Sequence, residues 1–249
     1  MNILILAAGL GTRLRPLTDS MPKALVPIGG KPLLQLLIEK IKRQCRDAKV
    51  VINLHHHGEQ IIDFVHQNDG FGLDVKLSDE RNLLLDTGGA VKHAAPLFDN
   101  NEPILIHNVD ILSNINLPDF YAAHLVHGSN ADATLLVSDR ETSRYLLFDD
   151  SYRMKGWLNK STGEVRSPYH DIPLECLRKL AFSGIHVISQ SLISRMNDWP
   201  DKFSIIDFYI KNCADTHIMA DIRADIRMLD VGKVDSLDRA SQELPKYQS

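Results

Sequence analysis

Continuous apolar runs, rather than alternating ones, set the rhythm of the first half of this chain: "NILILAA" at 2–8, "KVVINL" at 49–54, "PILIHNV" at 103–109 and "ADATLLVS" at 131–138. Such runs fit strands covered on both faces. Helix-like segments stand between them, for example "KPLLQLLIEKIKRQCRDA" at 31–48, where Pro32 suits the first helical turn. Strands alternating with helices predict a parallel sheet flanked by helices. After about Asp139 the rhythm changes. "RYLLFDDSYRMKGWL" reads as two strands around the polar turn "FDDSY", followed by a loop with Gly163 and Pro168. The chain then returns to an apolar strand, "AFSGIHVIS", a helix in "FSIIDFYIKNC", and closing strands in "THIMADIR" and "IRMLDVG" before a polar tail. The expected class is α/β: a Rossmann-like, mostly parallel sheet with helices on both faces and a small β-rich appended lobe, in one domain over 1–249.

Composition narrows the functional classes. With 249 residues and 44 % hydrophobic content the chain can bury a sizeable core, and a formal charge of -4 argues against a general nucleic-acid or anionic-membrane surface. Cys45, Cys176 and Cys213 are odd in number and widely spaced, which indicates neither a disulfide framework nor a zinc ribbon. No apolar stretch approaches the roughly 20 residues of a membrane span, and the first run lacks the basic flank of a signal peptide. The expectation is a cytoplasmic protein with no nucleic-acid or membrane partner.

The candidate chemistry begins at "NILILAAGLGTRLRPLTDSMPKALVPIGGKP". Gly9, Gly11, Arg13, Arg15 and Lys23 put flexible backbone and three positive charges into fifteen residues, a composition suited to phosphate oxygens. A dinucleotide fingerprint would need a glycine where Leu14 stands, and a Walker loop would need Ser or Thr after Gly30-Lys31, where Pro32 stands. In open α/β sheets ligands bind beyond the carboxyl ends of strands. That filter selects the opening loop, Asp110 after "ILIHNV" and Asp230 after "IRML". Two carboxylates facing a basic, glycine-rich loop make a Mg²⁺ and polyphosphate site. A second glycine pair, in "LLLDTGGAVKHAA", marks a helix start at Asp86 or Thr87 where Gly88 and Gly89 allow close approach of a flat ligand. His55, His56 and His57 read as a surface turn before the helix "GEQIIDFVHQ", because adjacent residues point apart and no spaced carboxylate or cysteine accompanies them.

The segment "LAAGLGTRLRPLTDSMPKALVPIGGKPLL" resembles, nearly position for position, the signature of the sugar-1-phosphate nucleotidylyltransferases, and the likeness continues through "DTGGA", "HNVDI", "FSGIHVIS" and "LDVGKVDSL". It is greatest to the short bacterial members, which include muramate-, mannose- and glucose-1-phosphate enzymes, and weakest near 140–180. The resemblance implies a nucleotide-binding half over about 1–139 and a sugar-phosphate half over about 140–249. The implied partners are a nucleoside triphosphate and a sugar 1-phosphate, and the implied metal is Mg²⁺. By the same resemblance Ala8, Gly9 and Gly11 lie along the nucleotide, Arg13 grips its phosphates, and Lys23 sits at the reacting phosphate. Asp110 and Asp230 match the metal-binding aspartates, Gly88 a base contact, Asn108 a position beside the metal strand, and Gly184 a sugar-pocket position.

Two departures stand out: Val109 replaces the glycine usual before the metal-strand aspartate, and Lys233 follows Gly232 where the family often has Thr. Lys155 and Lys160 read as solvated. A cytidylyltransferase for phosphocholine-like acceptors shares the opening motif, with Trp157 and Tyr169 as its only nearby cage aromatics. An inactive, nucleotide-sensing homologue is a third reading.

Overall fold

Strand β1 (Asn2–Leu6) lies between β4 (Lys49–Leu54) and β6 (Ile104–Asn108), parallel to both. Side chains alternate along a strand, so Ile3 and Ile5 enter one core and Leu4 the other, all three fully buried. That burial on both faces is why the run has no polar alternation. A computed structural model describes residues 1–99, 101–127 and 131–247. In chain order the remaining strands are β2 (Pro27–Ile28), β3 (Lys31–Pro32), β5 (Asp74–Asp79), β7 (Ile111–Ser113), β8 (Ala133–Ser138), β9 (Arg144–Phe148), β10 (Met154–Asn159), β11 (Val165–Arg166), β12 (Arg178–Ile188), β13 (Ile218–Ile222) and β14 (Met228–Asp230). The helices are α1 (Leu33–Gln44), α2 (Gly58–Gln67), α3 (Asp86–Ala94), α4 (Leu117–His127), α5 (Gln190–Ser194), α6 (Ile205–Asn212) and α7 (Asp235–Glu243).

Helices α1, α2 and α4 cover one face through Ile38, Ile61 and Phe120, whereas α3 and α6 cover the other through Val91 and Phe208. The fold is thus the α/β arrangement expected, with β5-β4-β1-β6 parallel. Among the described residues no helix is long and apolar enough to cross a membrane.

Three details differ from the sequence reading. Pro32 caps α1 from outside, with ψ 143°, instead of occupying its first turn. The hairpin β9–β10 is continuous with the main sheet, because the eleven-residue β12 pairs antiparallel with β6 and β8 along one part and with β9 along the other. Its register breaks between Phe182 and His186, where Gly184 adopts φ +75°. Third, the "polar tail" contains α7, whose Leu237, Ala240 and following Leu244 repeat at helical spacing and pack on the first core.

Lys40 on α1 is 5 % exposed and donates its ammonium to the Ser113 carbonyl. Burial lowers its pKa from 10.5 to about 8. Between those values the unfolded chain holds the proton and the native chain releases it, so this group's contribution to stability rises with pH across that window. Replacing Lys40 by Met removes the dependence. In urea melts, the stability difference between Lys40→Met and wild type should change by roughly 1.4 kcal/mol per pH unit between pH 8 and 10, moving in favour of the wild type. Parallel curves would show that the ammonium is not desolvated.

Candidate active site

The turn after β1 is held from below by Asn53, near the end of β4. Its Oδ1 accepts the Ala7 and Ala8 N–H groups at 2.6 and 3.2 Å, and its Nδ2 donates to Glu80 Oε1 at 2.8 Å. Glu80 Oε2 accepts the Leu85 N–H at 3.3 Å, at the entrance to α3. One buried amide–carboxyl pair therefore ties the opening loop to the second glycine loop, and burial raises the Glu80 pKa. Sequence reasoning missed both residues. The signal for Asn53 was a polar residue inside an apolar run, since a buried amide persists only where its hydrogen bonds are satisfied.

Above this support, a small cavity of about 150 Å³ is bounded by Ala8, Gly9, Lys23, Thr87, Asn108 and Asp110. A Cβ on Gly9 would meet nothing within 4 Å, so the backbone there borders open space. Gly11 is different: its φ of +65° and a gap of 2.7 Å from a would-be Cβ to Thr18 Cγ2 both require glycine. Lys23, in the turn Lys23–Leu25, is 8 % exposed and donates its ammonium to Asp110 Oδ2. Asp110 stands two residues beyond the end of β6, and Val109 between them is 4 % exposed and packs into the first core.

Asp230 reaches the same region by strand pairing. β14 runs antiparallel to β7, Asp230 stands opposite Ile111, and the Val231 N–H donates to the Asp110 carbonyl at 2.9 Å. A Cβ on Gly232 would lie 2.6 Å from Asp230 Oδ1 and 3.0 Å from Arg13 Nη2, so Arg13 and Asp230 crowd the same glycine. Gly184 is related to Asn108 in the same way, with a gap of 2.7 Å to Asn108 Nδ2. The chain thus brings Ala8, Gly9, Lys23, Asn108 and Asp110 onto one cavity, with Gly184 behind Asn108 and with Arg13 and Asp230 both beside Gly232.

Gly88 stands apart from that wall. Its N–H donates to the Phe203 carbonyl at 2.9 Å, and a Cβ would lie 2.3 Å from the Phe203 ring. Gly89 likewise faces the Asp201 carbonyl, 2.0 Å from a would-be Cβ. The glycine pair serves the close approach of α3 to the segment before α6, and its neighbour Thr87 lines the cavity instead. Arg15 turns outward to Asp19 at 3.2 Å. Lys233 is exposed two residues before α7, and Lys155 pairs with Asp149 at 3.0 Å. His55 Nδ1 meets the Glu80 carbonyl at 2.6 Å, while the His56 and His57 rings lie 3.9 Å apart, tilted by 50°. The aromatics weighed for an ammonium cage already carry protein cations: Arg166 lies 5.0 Å from the Trp157 ring centre and Lys155 5.1 Å from that of Tyr169.

Among the described residues no group of three or more His, Cys, Asp or Glu side chains is arranged to hold a metal. The Val231 N–H bond to the Asp110 carbonyl carries Asp230 beside Asp110, and no protein donor among the described residues engages Asp110 Oδ1. An all-oxygen pair of this kind suits a hard divalent cation that completes its shell with phosphate and water oxygens.

An N-acetylmuramate alpha-1-phosphate uridylyltransferase of Neisseria meningitidis is 35 % identical over 152 residues, covering 55 % of this chain and 65 % of the relative. A mannose-1-phosphate guanyltransferase of Pichia angusta is 28 % identical, covering 78 % of this chain and 50 % of the relative. The chain therefore spans half to two thirds of the length of these relatives. Among solved structures, HddC from Yersinia pseudotuberculosis, in complex with GMP-PN, superposes with a TM-score of 0.76 at 24 % identity over 98 % of this chain and 99 % of that one. The model of the nucleotidyl transferase family matches residues 2–246. The match runs from the first strand past the closing helix, so every element that shapes the cavity falls inside it, and the chain belongs to the nucleotidyl transferase family.

Proposed function

We propose that this protein transfers a nucleoside monophosphate from a nucleoside triphosphate to a sugar 1-phosphate, releasing pyrophosphate. The observation that carries the reading is the buried Lys23–Asp110 pair on the cavity that the Gly9 backbone leaves open. The names of the relatives support sugar 1-phosphates as acceptors, and uridylyl or guanylyl as the transferred group.

An acceptor phosphate oxygen, already ionised near neutral pH, attacks the α-phosphorus; a P–O bond forms and the bond to the β-phosphate oxygen breaks. No protein base is required, and the residues act by positioning and by charge neutralisation. The Ala8–Gly9 backbone lets the triphosphate lie close to β1. Arg13 forks phosphate oxygens with its guanidinium, and Lys23 places a mobile positive charge at the reacting phosphorus. Asp110 and Asp230 would hold Mg²⁺, which when bound supplies charge neutralisation to the phosphates of both substrates.

A matrix of UTP, GTP, dTTP and CTP against sugar 1-phosphates, read by pyrophosphate release, tests the reading. At least one pair should release pyrophosphate, with turnover lost in EDTA and restored by added Mg²⁺ or Mn²⁺. Full turnover in chelator would remove the metal assignment; silence across the whole matrix would remove the transferase.

A further inference from the structure

A second, larger cavity of about 490 Å³ opens between the β9–β10–β11 extension and the start of α6, with Arg140, Arg144, Arg166, Trp157, Phe182 and Asp207 on its walls. A volume of this size takes a small ligand such as a substituted monosaccharide. Three guanidinium groups face one carboxylate, in a chain whose formal charge is -4. Arg166 is spoken for: it pairs with Asp207 and lies over the Trp157 ring. Arg140 is anchored by Nη2 on the Phe182 carbonyl at 3.1 Å, which leaves its charge uncompensated. Arg144 has no acidic partner among the described residues.

The cavity adjoins the candidate active site through two segments. Phe182 on its wall and Gly184 against Asn108 are two residues apart on β12, about 7 Å of strand at most. On the other side, Thr87 of the small cavity accepts the Ile205 N–H at 3.0 Å, while Ser204 and Ile206 line the large one. A reacting phosphate beside Lys23 and Asp110 therefore leaves the arginine cavity to the far side of the acceptor.

We propose that the acceptor carries an acidic group besides its reacting phosphate, a carboxylate or a second phosphate, received in this cavity by Arg140 and Arg144. The inference rests on the transferase reading above and narrows it to acidic sugar 1-phosphates. Guanidinium groups bind carboxylates and phosphates alike, so the test contains both.

Three matched pairs discriminate: N-acetylglucosamine 1-phosphate against N-acetylmuramate 1-phosphate, glucose 1-phosphate against glucuronate 1-phosphate, and glucose 1-phosphate against glucose 1,6-bisphosphate. In at least one pair kcat/KM for the acidic member should exceed that of the neutral one by on the order of tenfold or more, the worth of one charge-assisted hydrogen bond. Arg144→Gln and Arg140→Gln should each depress the acidic acceptor by about tenfold more than the neutral one. Which pair responds distinguishes a carboxylate from a second phosphate. Neutral acceptors equal to or better than the acidic ones in every pair, or equal losses for both in the variants, would overturn the proposal while leaving the transferase intact. If no acceptor releases pyrophosphate, the transferase reading has failed, and calorimetric titration with the same five compounds decides the cavity. Tighter binding of an acidic member that Arg144→Gln abolishes supports it, and indifference to charge overturns it.

Discussion

Asp110→Asn is expected to slow turnover by on the order of 10²- to 10³-fold, as when one preorganised electrostatic group is removed from an active site. It is also expected to lower stability without substrate. The second effect follows from the partner. Lys23 is 8 % exposed and its ammonium rests on Asp110, whose side chain is 16 % exposed, so neutralising the aspartate strands a buried charge. Breaking one half of such a pair costs about 3 kcal/mol. Lys23→Met removes the stranded charge, and Lys23→Met combined with Asp110→Asn should recover most of the lost urea midpoint. Turnover should stay low in all three variants. Midpoint and rate together separate a structural ion pair from a reacting one. A structural pair would give the same stability cycle with turnover close to wild type. Two facing carboxylates on their own would predict that Asp110→Asn leaves the midpoint unmoved or raises it, by relief of repulsion; the lysine between the opening loop and β6 reverses that expectation.

Asp230→Asn is expected to lose turnover on a similar scale without the stability penalty, because Asp230 is exposed and among the described residues engages no buried lysine. If the two carboxylates serve one cation, the double variant Asp110→Asn/Asp230→Asn should lose far less than the sum of the single losses, since groups acting as a unit are non-additive. The Mg²⁺ concentration giving half-maximal rate should rise in each single variant. The strand geometry makes the coupling direct: the Val231 N–H bonds the Asp110 carbonyl at 2.9 Å, so the two aspartates are carried by hydrogen-bonded backbone. Additive losses with an unchanged Mg²⁺ requirement would mean that the two act separately.

Much of the fold was legible before any coordinates. Apolar runs without alternation indicated strands buried on both faces, and β1, with Ile3 and Ile5 in one core and Leu4 in the other, shows why that pattern is informative. The loops beyond the carboxyl ends of β1 and β6 do meet on the small cavity, because backbone there leaves the sheet. What the pattern concealed was α7. Its apolar residues are only Leu237 and Ala240, with Leu244 just beyond, set among charges that face solvent, and a stripe that thin reads as a tail.

By itself, then, the sequence determined the layered sheet, the loop with Gly9, Gly11, Arg13 and Lys23, and the two strand-end aspartates, because periodicity, turn chemistry and charge are local properties of the chain. Contacts between residues far apart in sequence were decided only by the tertiary structure. Asn53 holds Ala7 and Ala8 from a strand some 45 residues away, Lys23 meets Asp110 across 87 residues, and Gly88 yields its space to Phe203. A glycine pair has the same local signature whether a ligand or a neighbouring segment takes the space, and a lysine looks solvated until a partner is brought to it. Packing alone distinguishes these cases, since it is the close approach of separate elements that sets which polar groups are desolvated and which partners remain to satisfy them.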